Sequence, residues 1–542
     1  MKNLLKKSKG ITLIALVVTL ILLLILAGTS ISMLAGENGI LSRAAEAKEK
    51  IQNSQSEELS ALSKLESEML QNQDDGFDKE KGVNRPELRN GMTRIMFEEP
   101  TSDNAGNNLK NGKTIKDGEN GWSENWYDYS QKKWANTMTK DGSMWVWIPR
   151  FAYNIDSNDK MGILFLVGTS NKCYNTSSKR IEDLPDGYKI HPCFQNGTSN
   201  GFKNGEWDSE LRGIWVAKFE AGLPDESTAP KTTSVNMTNS YYPVFQGQKT
   251  SYNYINASLC YLLSKTLTEA NNPYGLTSDT DSHLIKNSEW GAAAYLSYSI
   301  FGKTGGEYNT DNEVYINNVS YSEYNATSTI NSIRGNGSYA ITGYSGSAAS
   351  SGQNVLTKTE LKDSVSGSSG TSYAWYTFKG TNASTTGNIY GIYDMSGGLS
   401  EYTASYIKME NSDTLLKYLK DYGYAFVFKD EAKTQFVGNT KYVMEYPGYT
   451  KGGLKTELSK TGRYGDGYLE TWHWFGDWIN DDASGPFTTR GAYWDGSSEA
   501  GVFAFDDGAG IGDGGLRFPL GAGCPVALWI FPWALCPLIG LK

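Results

Sequence analysis

The stretch that decides the fold is MWVWIPRFAYNI at residues 144–155, in which aromatic and aliphatic side chains follow one another almost without interruption. Such a run is typical of a β-strand, and Pro149 marks a strand edge or a strand end because proline has no N–H to donate to a neighbouring strand. A second run, LRGIWVAKFEAG at residues 211–222, has the same character and ends in glycine. We predict a strand in each segment.

A third segment has a helical period instead. In KNSEWGAAAYLSYSIFG, residues 286–302, apolar and small side chains recur at helical spacing from Trp290 onward. Ser288 is a favourable N-cap residue, so the pattern predicts a short helix that begins there. The following residues 303–388 are dominated by Ser, Thr, Gly, Asn and Tyr without a sustained period. We predict surface loops and hairpins in that region.

The composition limits both the fold and the partners. Glycine (59 residues), tyrosine (34) and tryptophan (15) are abundant, whereas hydrophobic residues make up only 39% of the 542, which favours a loop-rich fold over a mostly helical enzyme. The formal net charge of −10 argues against nucleic acid as a partner. The three His and five Cys follow no CxxC or HExxH spacing, which argues against a structural zinc site or a zinc hydrolase.

The N-terminus determines the predicted location. No charged residue occurs from Ile11 to Gly36, and as a helix this run would be roughly 39 Å long, more than the ~30 Å hydrocarbon core of a bilayer. A secretory signal peptide is the alternative, but its apolar core is shorter, at about 7–15 residues. The four lysines that precede the run keep residues 1–10 cytoplasmic by the positive-inside rule. We expect a single-pass protein of the cell membrane, held in the membrane by residues 11–36, with its C-terminal domain extracellular.

The same residues resemble a known N-terminus. A lysine-rich leader that ends at Gly10, followed by ITLI at residues 11–14 and an unbroken Val/Leu/Ile run, looks like a type IV prepilin. The resemblance implies cleavage after Gly10, N-methylation of Ile11 and an association with a pilus. Most pilins carry Glu at the fifth mature position to neutralise a neighbouring ammonium group in an apolar filament core. Ala15 stands there in this chain, which argues against a major filament subunit and is compatible with a minor or tip pilin.

The chain after the apolar run favours a second helical segment. Residues 37–73 are rich in Ala, Glu, Lys and Leu and contain no proline, which predicts a stalk helix. Its apolar residues form one narrow stripe. The stripe packs on the protein's own domain, stays a solvated stalk, or contacts pilin-like subunits, and the sequence leaves these readings open.

Two later segments resemble a second family. TGNIYGIYDMSGGLSEYTASY (386–406) is similar to the GLYDMxGNVWEW signature of the formylglycine-generating-enzyme, or sulfatase-modifying-factor, family. RGAYWDGSSEAGVFAFDDGAGIGDGGLRFPL (490–520) is similar to its terminal RGGSW…GFR block. With the run at 144–155 and the segment around Trp290, the resemblance spans roughly 141–520. It implies an irregular C-type-lectin-like domain with much loop, so the predicted fold class is α+β: a long N-terminal transmembrane and stalk α-helix followed by that domain.

The resemblance does not extend to the residues that oxidative catalysis in this family requires. A copper–thiolate site needs two cysteines that converge on one metal, and residues 494–517 contain none, while Cys524 and Cys536 lie beyond the matching block. His473 lies among carboxylates and tryptophans in residues 469–482, where a single His is more often structural than catalytic. We therefore expect no catalytic residue and no cofactor. Family analogy admits a structural calcium ion, but no residue set identifies its ligands.

Recognition of a ligand is the function that the terminal block favours. The resemblance extends to the variable display proteins of diversity-generating retroelements, in which scattered solvent-facing positions of this block are diversified, and we expect the corresponding positions here to contact a ligand. The predicted ligand-binding residues are Tyr493, Trp494, Asp495, Ser497, Ser498, Glu499, Asp506, Asp507, Ala509, Ile511 and Asp513. Tyr, Trp, Ser, Gly and Asp are typical of binding surfaces. Arg490 and Arg517 are instead expected to pin the core.

The predicted function is a surface-displayed, pilin-like binding protein of the adhesin or receptor type, with an extracellular protein or glycan as its ligand. The alternatives are a minor pilin that caps or decorates a filament, and an extracellular enzyme of the sulfatase-modifying type. The apolar tail contains three prolines, and its role stays open between an edge strand, a sticky interface and a stretch beyond the natural end. The predicted divisions are 1–10 (leader), 11–36 (membrane helix), 37–73 (stalk), 74–140 (linker and N-terminal extension), 141–520 (family-like domain) and 521–542 (tail).

Overall fold

A computed structural model gives the protein's architecture. It describes residues 13–35, 43–44, 46–55, 58, 76–156, 160–175, 177–196, 207–225, 242–252, 255–306, 313–322, 338–346, 354–356, 361–367, 369–407, 413–430, 432–437, 441–446, 465–467, 485–492, 500–508, 510 and 526–530. The chain divides into two compact units, Met1–Asp74 and Asp75–Lys542.

The first unit contains helix α1 (Leu13–Ala35), and residues 46–55 are also helical. The large apolar side chains of α1 are exposed, from Leu13 at 75% to Leu26 at 61%. The hydroxyl of Thr19 donates to the carbonyl of Ala15, and that of Thr29 donates to the carbonyl of Ile25. Among the described residues, none of the helices has both the length and the apolar character that crossing a bilayer requires.

The predicted fold class is therefore wrong. Strands far outnumber helices in the described residues, and α1 is not identified as a helix that could span a membrane. Of the expected stalk over residues 37–73, the structure describes only 43–44, 46–55 and 58. The excess of strands has a physical reason. In the second unit, aromatic and β-branched residues favour strands over helices.

The second unit is built mainly of antiparallel strands. In chain order they are β1 (Phe77–Asp78), β2 (Val83–Asn84), β3 (Thr93–Glu98), β4 (Thr101–Ser102), β5 (Asn108–Lys110), β6 (Lys113–Lys116), β7 (Asn136–Met138), β8 (Met144–Pro149), β9 (Phe151–Ile155), β10 (Met161–Phe165), β11 (Lys172–Asn175), β12 (Arg180–Asp183), β13 (Lys189–Ile190), β14 (Gly213–Ala217), β15 (Thr280–Leu284), β16 (Val319–Ser322), β17 (Ser338–Ala340), β18 (Tyr344–Ser345), β19 (Asn354–Leu356), β20 (Ser364–Gly367), β21 (Gly370–Ala374), β22 (Glu401–Ile407), β23 (Met444–Tyr446), β24 (Phe487–Arg490), β25 (Phe505–Gly508) and β26 (Val526–Ile530). The helices of this unit are α2 (Ala257–Lys265), α3 (Asn287–Ser297), α4 (Asp413–Tyr422) and α5 (Tyr424–Val427).

A seven-stranded sheet in the order β15-β26-β14-β8-β7-β3-β6 forms the centre of the unit. Its strands β8 and β14 correspond to the two runs predicted as strands, which confirms both predictions, and β8 ends at Pro149 as expected. Every residue of both strands is buried, and the indole rings of Trp147 and Trp215 lie 5.2 Å apart. Burial on both faces explains why these runs are almost continuously apolar instead of alternating.

The C-terminal tail contributes an interior strand to this sheet. The backbone of β26 pairs on one side with β14, where Val216 lies opposite Ala527, and on the other side with β15, where His283 lies opposite the same alanine. Pro525 and Pro532 flank the strand in the sequence. Because proline cannot donate to the ladder, both are compatible with strand limits and neither interrupts it. Of the roles left open for the tail, a strand is the one observed, but it is an interior strand and not an edge strand.

A second sheet, in the order β23-β22-β24-β25, carries the end of the family-like block. Strands β22 and β23 are parallel and the other pairs are antiparallel, with an irregular register between Tyr402 and Tyr406. Two three-stranded sheets, β17-β16-β19 and β18-β21-β20, lie in the region predicted to be loops and hairpins. They bury Val319, Tyr344 and Val365 together. The prediction that this region contributes no core is therefore wrong.

Helix α3 confirms the helical segment predicted after residue 286, but its N-cap lies two residues before Ser288, the predicted N-cap. Its N-cap is Lys286, and the backbone N–H of Lys286 donates to the carboxylate of Glu289 at 2.9 Å. This is the backbone half of a capping box. All residues of α3 are buried. The helix lies between the two larger sheets as part of one continuous core.

The interior position of β26 predicts a large effect of proline. Replacing Ala527 by Pro removes an N–H from a strand that is paired on both sides, and we expect the unfolding free energy to fall by at least about 2 kcal/mol, as for a buried polar group left unpaired. Equilibrium denaturation of the full chain measures the loss. The matched control Ala527→Gly keeps the N–H, and we expect it to cost only about 0.5–1 kcal/mol. Equal stability of the two variants would show that β26 is not an interior strand.

Candidate binding face

The candidate site lies at the strands β22, β24 and β25 and at the segments that leave them. Every residue of β22 and β24 is buried. In the ladder, Glu401 lies opposite Arg490, and Thr489 lies opposite Asp506. The chain segments on either side of residues 493–499 therefore start and end on a rigid, covered sheet.

Arg490 fixes the last position of β24. Its side chain is buried, and its guanidinium donates from Nη1 to the carbonyl of Asp466 at 2.9 Å and from Nη2 to the carbonyl of Gly467 at 3.3 Å. The guanidinium carbon also lies 5.8 Å from the ring of Trp290 and 5.6 Å from that of Phe505. The planar donor fork thus ties segment 465–467 to the sheet. The prediction that Arg490 pins the core is confirmed.

The chain leaves the sheet at Gly491 and returns before Phe505. Gly491 has a φ of 80°, and a Cβ atom there would meet the carbonyl oxygen of Met395 at 3.3 Å, so the close approach suits glycine. The N–H of Gly491 donates to the carbonyl of Ala504 at 3.4 Å, while its own carbonyl accepts from Gly397 at 2.9 Å. Residues 500–505 are buried. Both ends of the intervening segment are therefore held by the core.

The structure describes only two of the predicted ligand-binding residues. Asp506 is half-buried, and its Oδ1 accepts the N–H of Asp507 at 2.8 Å. Asp507 is only 3% exposed, and its Oδ2 accepts the N–H of Gly485 at 2.7 Å, so its carboxylate is engaged within the fold. Outside the described residues lie Tyr493, Trp494, Asp495, Ser497, Ser498, Glu499, Ala509, Ile511 and Asp513, together with Gly10, Ile11, His473 and Arg517.

Helix α3 supports this face through residues that the sequence did not single out. The side-chain amide of Asn287 donates to the hydroxyl of Tyr446 at 3.0 Å and to that of Thr488 at 3.2 Å, which joins the helix to β23 and β24. The indole of Trp290 donates to the carbonyl of Val502 at 2.8 Å. Gly291 packs so closely that a Cβ atom would lie 2.1 Å from the carbonyl oxygen of Gly465. The only sequence signal for this role was the helical period of the segment.

Three buried carboxyl groups lie at the base of the face. The Oε2 atom of Glu220 accepts the N–H of Leu399 at 3.1 Å. Asp394, with a φ of 64°, accepts the N–H of Gly343 at 2.8 Å and the amide of Asn317 at 2.8 Å. Glu401, the third carboxyl group, begins β22. The sequence patterns marked none of these three residues as part of a site.

Burial controls the protonation of these groups. Burial raises the pKa of Glu220, and repulsion from Glu401 and Asp394 raises it further. The pKa of Glu401 is raised by burial and by Asp394. Burial also raises the pKa of Asp394 to about 6, although the hydrogen bond from Gly343 partly offsets the shift. Neighbouring carboxyl groups that repel one another when ionised keep their protons to a higher pH.

The cysteines that the structure describes are buried. Cys173, Cys193 and Cys260 lie in the core, and burial raises the pKa of Cys193 well above its ordinary value. Thiols of this kind are poor nucleophiles because the reactive form is the thiolate. In the same described ranges, no group of three or more His, Cys, Asp or Glu side chains is placed to hold a metal ion. The expectations of no catalytic residue and of a structural calcium ion both stay predictions.

No protein-family model and no curated protein matches this chain. The similarities to prepilins and to the formylglycine-generating-enzyme family therefore rest on the quoted motifs alone.

The acid cluster predicts a pH effect on stability. A carboxyl group whose pKa is raised in the folded state binds protons more tightly when folded, so its stabilising contribution is lost as the pH rises from about 4.5 through the folded pKa. Replacing Glu401 by Gln, which mimics the protonated form, should make stability fall less between pH 5 and pH 8. We expect the difference in unfolding free energy between Glu401→Gln and wild type to grow by about 1.4 kcal/mol for each unit by which folding raises the pKa of Glu401.

Denaturant unfolding of the full chain at several pH values measures this effect. The matched control is Asp421→Asn, since this carboxylate forms a surface pair with Lys417 at 2.6 Å and should leave the pH profile as in wild type. Parallel profiles of unfolding free energy against pH for wild type and Glu401→Gln would contradict a raised pKa of Glu401 in the folded protein.

Proposed function

We propose that the second unit is a non-catalytic recognition domain that presents residues 491–513 to an external protein or glycan. The observation that carries the proposal is the anchoring of residues 493–499. The residues just before them end a buried strand and close at Gly491, and the residues just after them return to the core at 500–505. A segment held at both ends on a rigid scaffold is a common arrangement for binding loops.

The residue types between those ends support the proposal. The segment contains Tyr493 and Trp494, which can supply large and rigid contact areas, and Ser497 and Ser498, which can supply adaptable hydrogen bonds. Fixed ends reduce the conformational entropy that a loop loses when it binds a partner. The combination favours specific recognition over a purely structural role.

Charge indicates what kind of ligand would suit this face. Asp506 is half-buried on β25, which lies at an edge of its sheet, and Asp495, Glu499 and Asp513 occur in the two adjoining segments of the sequence. The whole chain has a formal net charge of −10. A ligand with hydroxyl or cationic groups, such as a glycan or a basic protein surface, would complement these carboxylates.

Replacing Tyr493 and Trp494 together by Ala tests the proposal. If they are central contacts, ligand capture by the full chain should weaken at least thirtyfold, which corresponds to the ~2 kcal/mol typical of a binding hot spot. A glycan array and a panel of extracellular proteins serve as probes, with affinities for any bound probe then measured by calorimetry. The unfolding midpoint should stay within about 2 °C of wild type because the segment lies beyond the buried strand.

Phe378→Ala is the matched control, since Phe378 is an aromatic residue with 42% exposure outside the candidate face. It should bind as wild type does. Unchanged affinity in the double variant would show that the face is misassigned. Copper-dependent oxygen consumption by the purified protein would instead favour the enzyme alternative, and recovery of the chain within a filament would favour the minor-pilin alternative.

A further inference from the structure

A buried ionic network lies where β15 meets helix α3. The ring of His283 is fully buried, with Nδ1 lying 3.5 Å from Oδ1 of Asp281 and Nε2 lying 3.2 Å from both carboxylate oxygens of Glu289. The ammonium group of Lys286 lies 3.4 Å from Oε1 of Glu289. A histidine between two carboxylates can donate from both ring nitrogens only when it is protonated.

The network extends from the core towards the surface. The hydroxyl of Tyr442 donates to Oδ2 of Asp281 at 2.8 Å, and the ammonium group of Lys441 lies 3.6 Å from the same oxygen. Lys441 also pairs at 2.9 Å with Asp208, whose side chain is 68% exposed. Lys286 lies 3.4 Å above the ring of Trp207 and donates to the carbonyl of Lys441 at 2.9 Å. The segment before β23 is thus joined to the N-terminus of α3.

The network is connected to the candidate face through the helix itself. Glu289 accepts both from His283 and from the backbone N–H of Lys286, the N-cap of α3. The next residue, Asn287, donates hydrogen bonds to the hydroxyls of Tyr446 and Thr488. One turn later, the indole of Trp290 donates to the carbonyl of Val502. The position of the first turn of α3 therefore sets the positions of β23, β24 and the chain that returns to β25.

We propose that protonated His283 acts as a pH-sensitive brace, which ties β15 to the first turn of α3 and so holds the strands and segment ends of the candidate face. Loss of the proton leaves one ring nitrogen as a lone pair facing a carboxylate. That contact is repulsive, and the first turn of α3 and the strands bound to it loosen. The brace is a property of the ligand-free fold, and only its effect on ligand capture rests on the proposed function.

The charges around His283 support the brace. Burial alone lowers the pKa of His283, but Glu289 and Asp281 outweigh it and the pKa is raised. Burial raises the pKa of Glu289, yet Lys286 and His283 bring it below its ordinary value. The stabilising contribution of His283 is therefore full below about pH 6.5, the ordinary value for histidine, and is lost as the pH rises through the higher folded value.

Other titratable groups pack around the network and shape its response. Burial lowers the pKa of Lys286 to about 8, although the nearby carboxylate of Glu289 opposes the shift, so Lys286 loses its proton around that pH. Strand β26, which pairs with β15, contributes no titratable residue. Among the described residues, the other ionisable groups around the network are Tyr261 and Lys265 on α2, Asp208 beside Trp207, Lys441 and Tyr442 before β23, and Cys193 with Arg150 beside it.

The protonation state can be observed directly in the full chain. The sequence has only three histidines, so selective ¹⁵N labelling gives a simple spectrum. We expect the signal assigned by loss in His283→Gln to show an imidazolium at pH 6.5 and to titrate above that value. His191 serves as an internal reference, because burial lowers its pKa to about 3 and it should stay neutral. A neutral His283 at pH 6.5 would overturn the proposal.

Hydrogen–deuterium exchange tests the connection to the face. The protection of residues 485–492 and 500–508, corrected for intrinsic exchange rates, should fall as the pH rises from 6 to 9. We expect a fall of about tenfold for each unit by which the pKa of His283 is higher in the folded protein than in the unfolded chain. Residues 151–155 and 161–165, which lie in another sheet, should change less. In His283→Gln and in Glu289→Gln, protection of the face should be lower than in wild type at pH 6 and should fall less as the pH rises, because only the contributions of the carboxyl cluster and the other titratable groups remain.

Lys417→Gln is the control, because it removes a charge from an exposed pair and should keep the wild-type response. Equal pH dependence in wild type and His283→Gln would refute the brace. If both network variants fail to fold, the wild-type titration and exchange profiles still decide. None of these measurements uses a ligand, so a failure to find one would count against the proposed function and not against the brace.

Discussion

The buried first turn of helix α3 is the contact on which the arrangement of the second unit depends. On one side it meets the seven-stranded sheet through His283 and Glu289, and on the other it meets the four-stranded sheet through Asn287 and Trp290. Burying these charges has a desolvation cost, and a buried ion pair is stable only when its remaining donors and acceptors are also paired. Removal of one partner would leave an uncompensated charge in the core. The network thus favours one relative position of the two sheets over others that would bury as much apolar surface.

Local sequence patterns predicted the strands and the helix whose structure is determined by the residues within them. The strands β8 and β14 were visible as apolar runs, and the helix after residue 286 was visible as a period. The predicted start at Ser288 was wrong because a free choice of cap would favour serine, whereas the structure uses Glu289 to cap Lys286 within a buried network. The interior position of strand β26 was not predictable, because it pairs on both sides with strands that lie more than 200 residues away in the chain. At the N-terminus a helix is present over Leu13–Ala35, but the expectation that it spans a membrane gave too much weight to the length of the apolar run alone.

In the candidate site, too, the sequence predicted some of the important residues and missed others. Arg490 was recognised as a core anchor because its side-chain type suits several carbonyl acceptors at once. Asn287, Tyr446 and Asp466 were missed, since a single polar residue has no sequence signal that tells a buried bridge from a surface residue. The carboxyl groups of Glu220, Asp394 and Glu401 come from two distant parts of the chain. Only folding brings them together, and their raised pKa values follow from that burial.

The two buried charge clusters act in the same direction on stability, although their chemistry differs. The carboxyl cluster favours the folded state because its raised pKa values keep its protons, and this contribution falls as the pH rises from about 4.5, where carboxyl groups of the unfolded chain ionise. The histidine network favours the folded state while the imidazole is charged, and its contribution falls only above about pH 6.5. Rising pH therefore begins to reduce the contribution of the carboxyl cluster before that of the histidine network. The carboxyl cluster adjoins β22 and the first turn of α3 is bonded to β24, while the histidine of the network lies on β15, at one end of the seven-stranded sheet. If residues 491–513 bind a ligand as proposed, acidity would therefore change how firmly this segment is anchored, while the buried apolar residues keep the two sheets together.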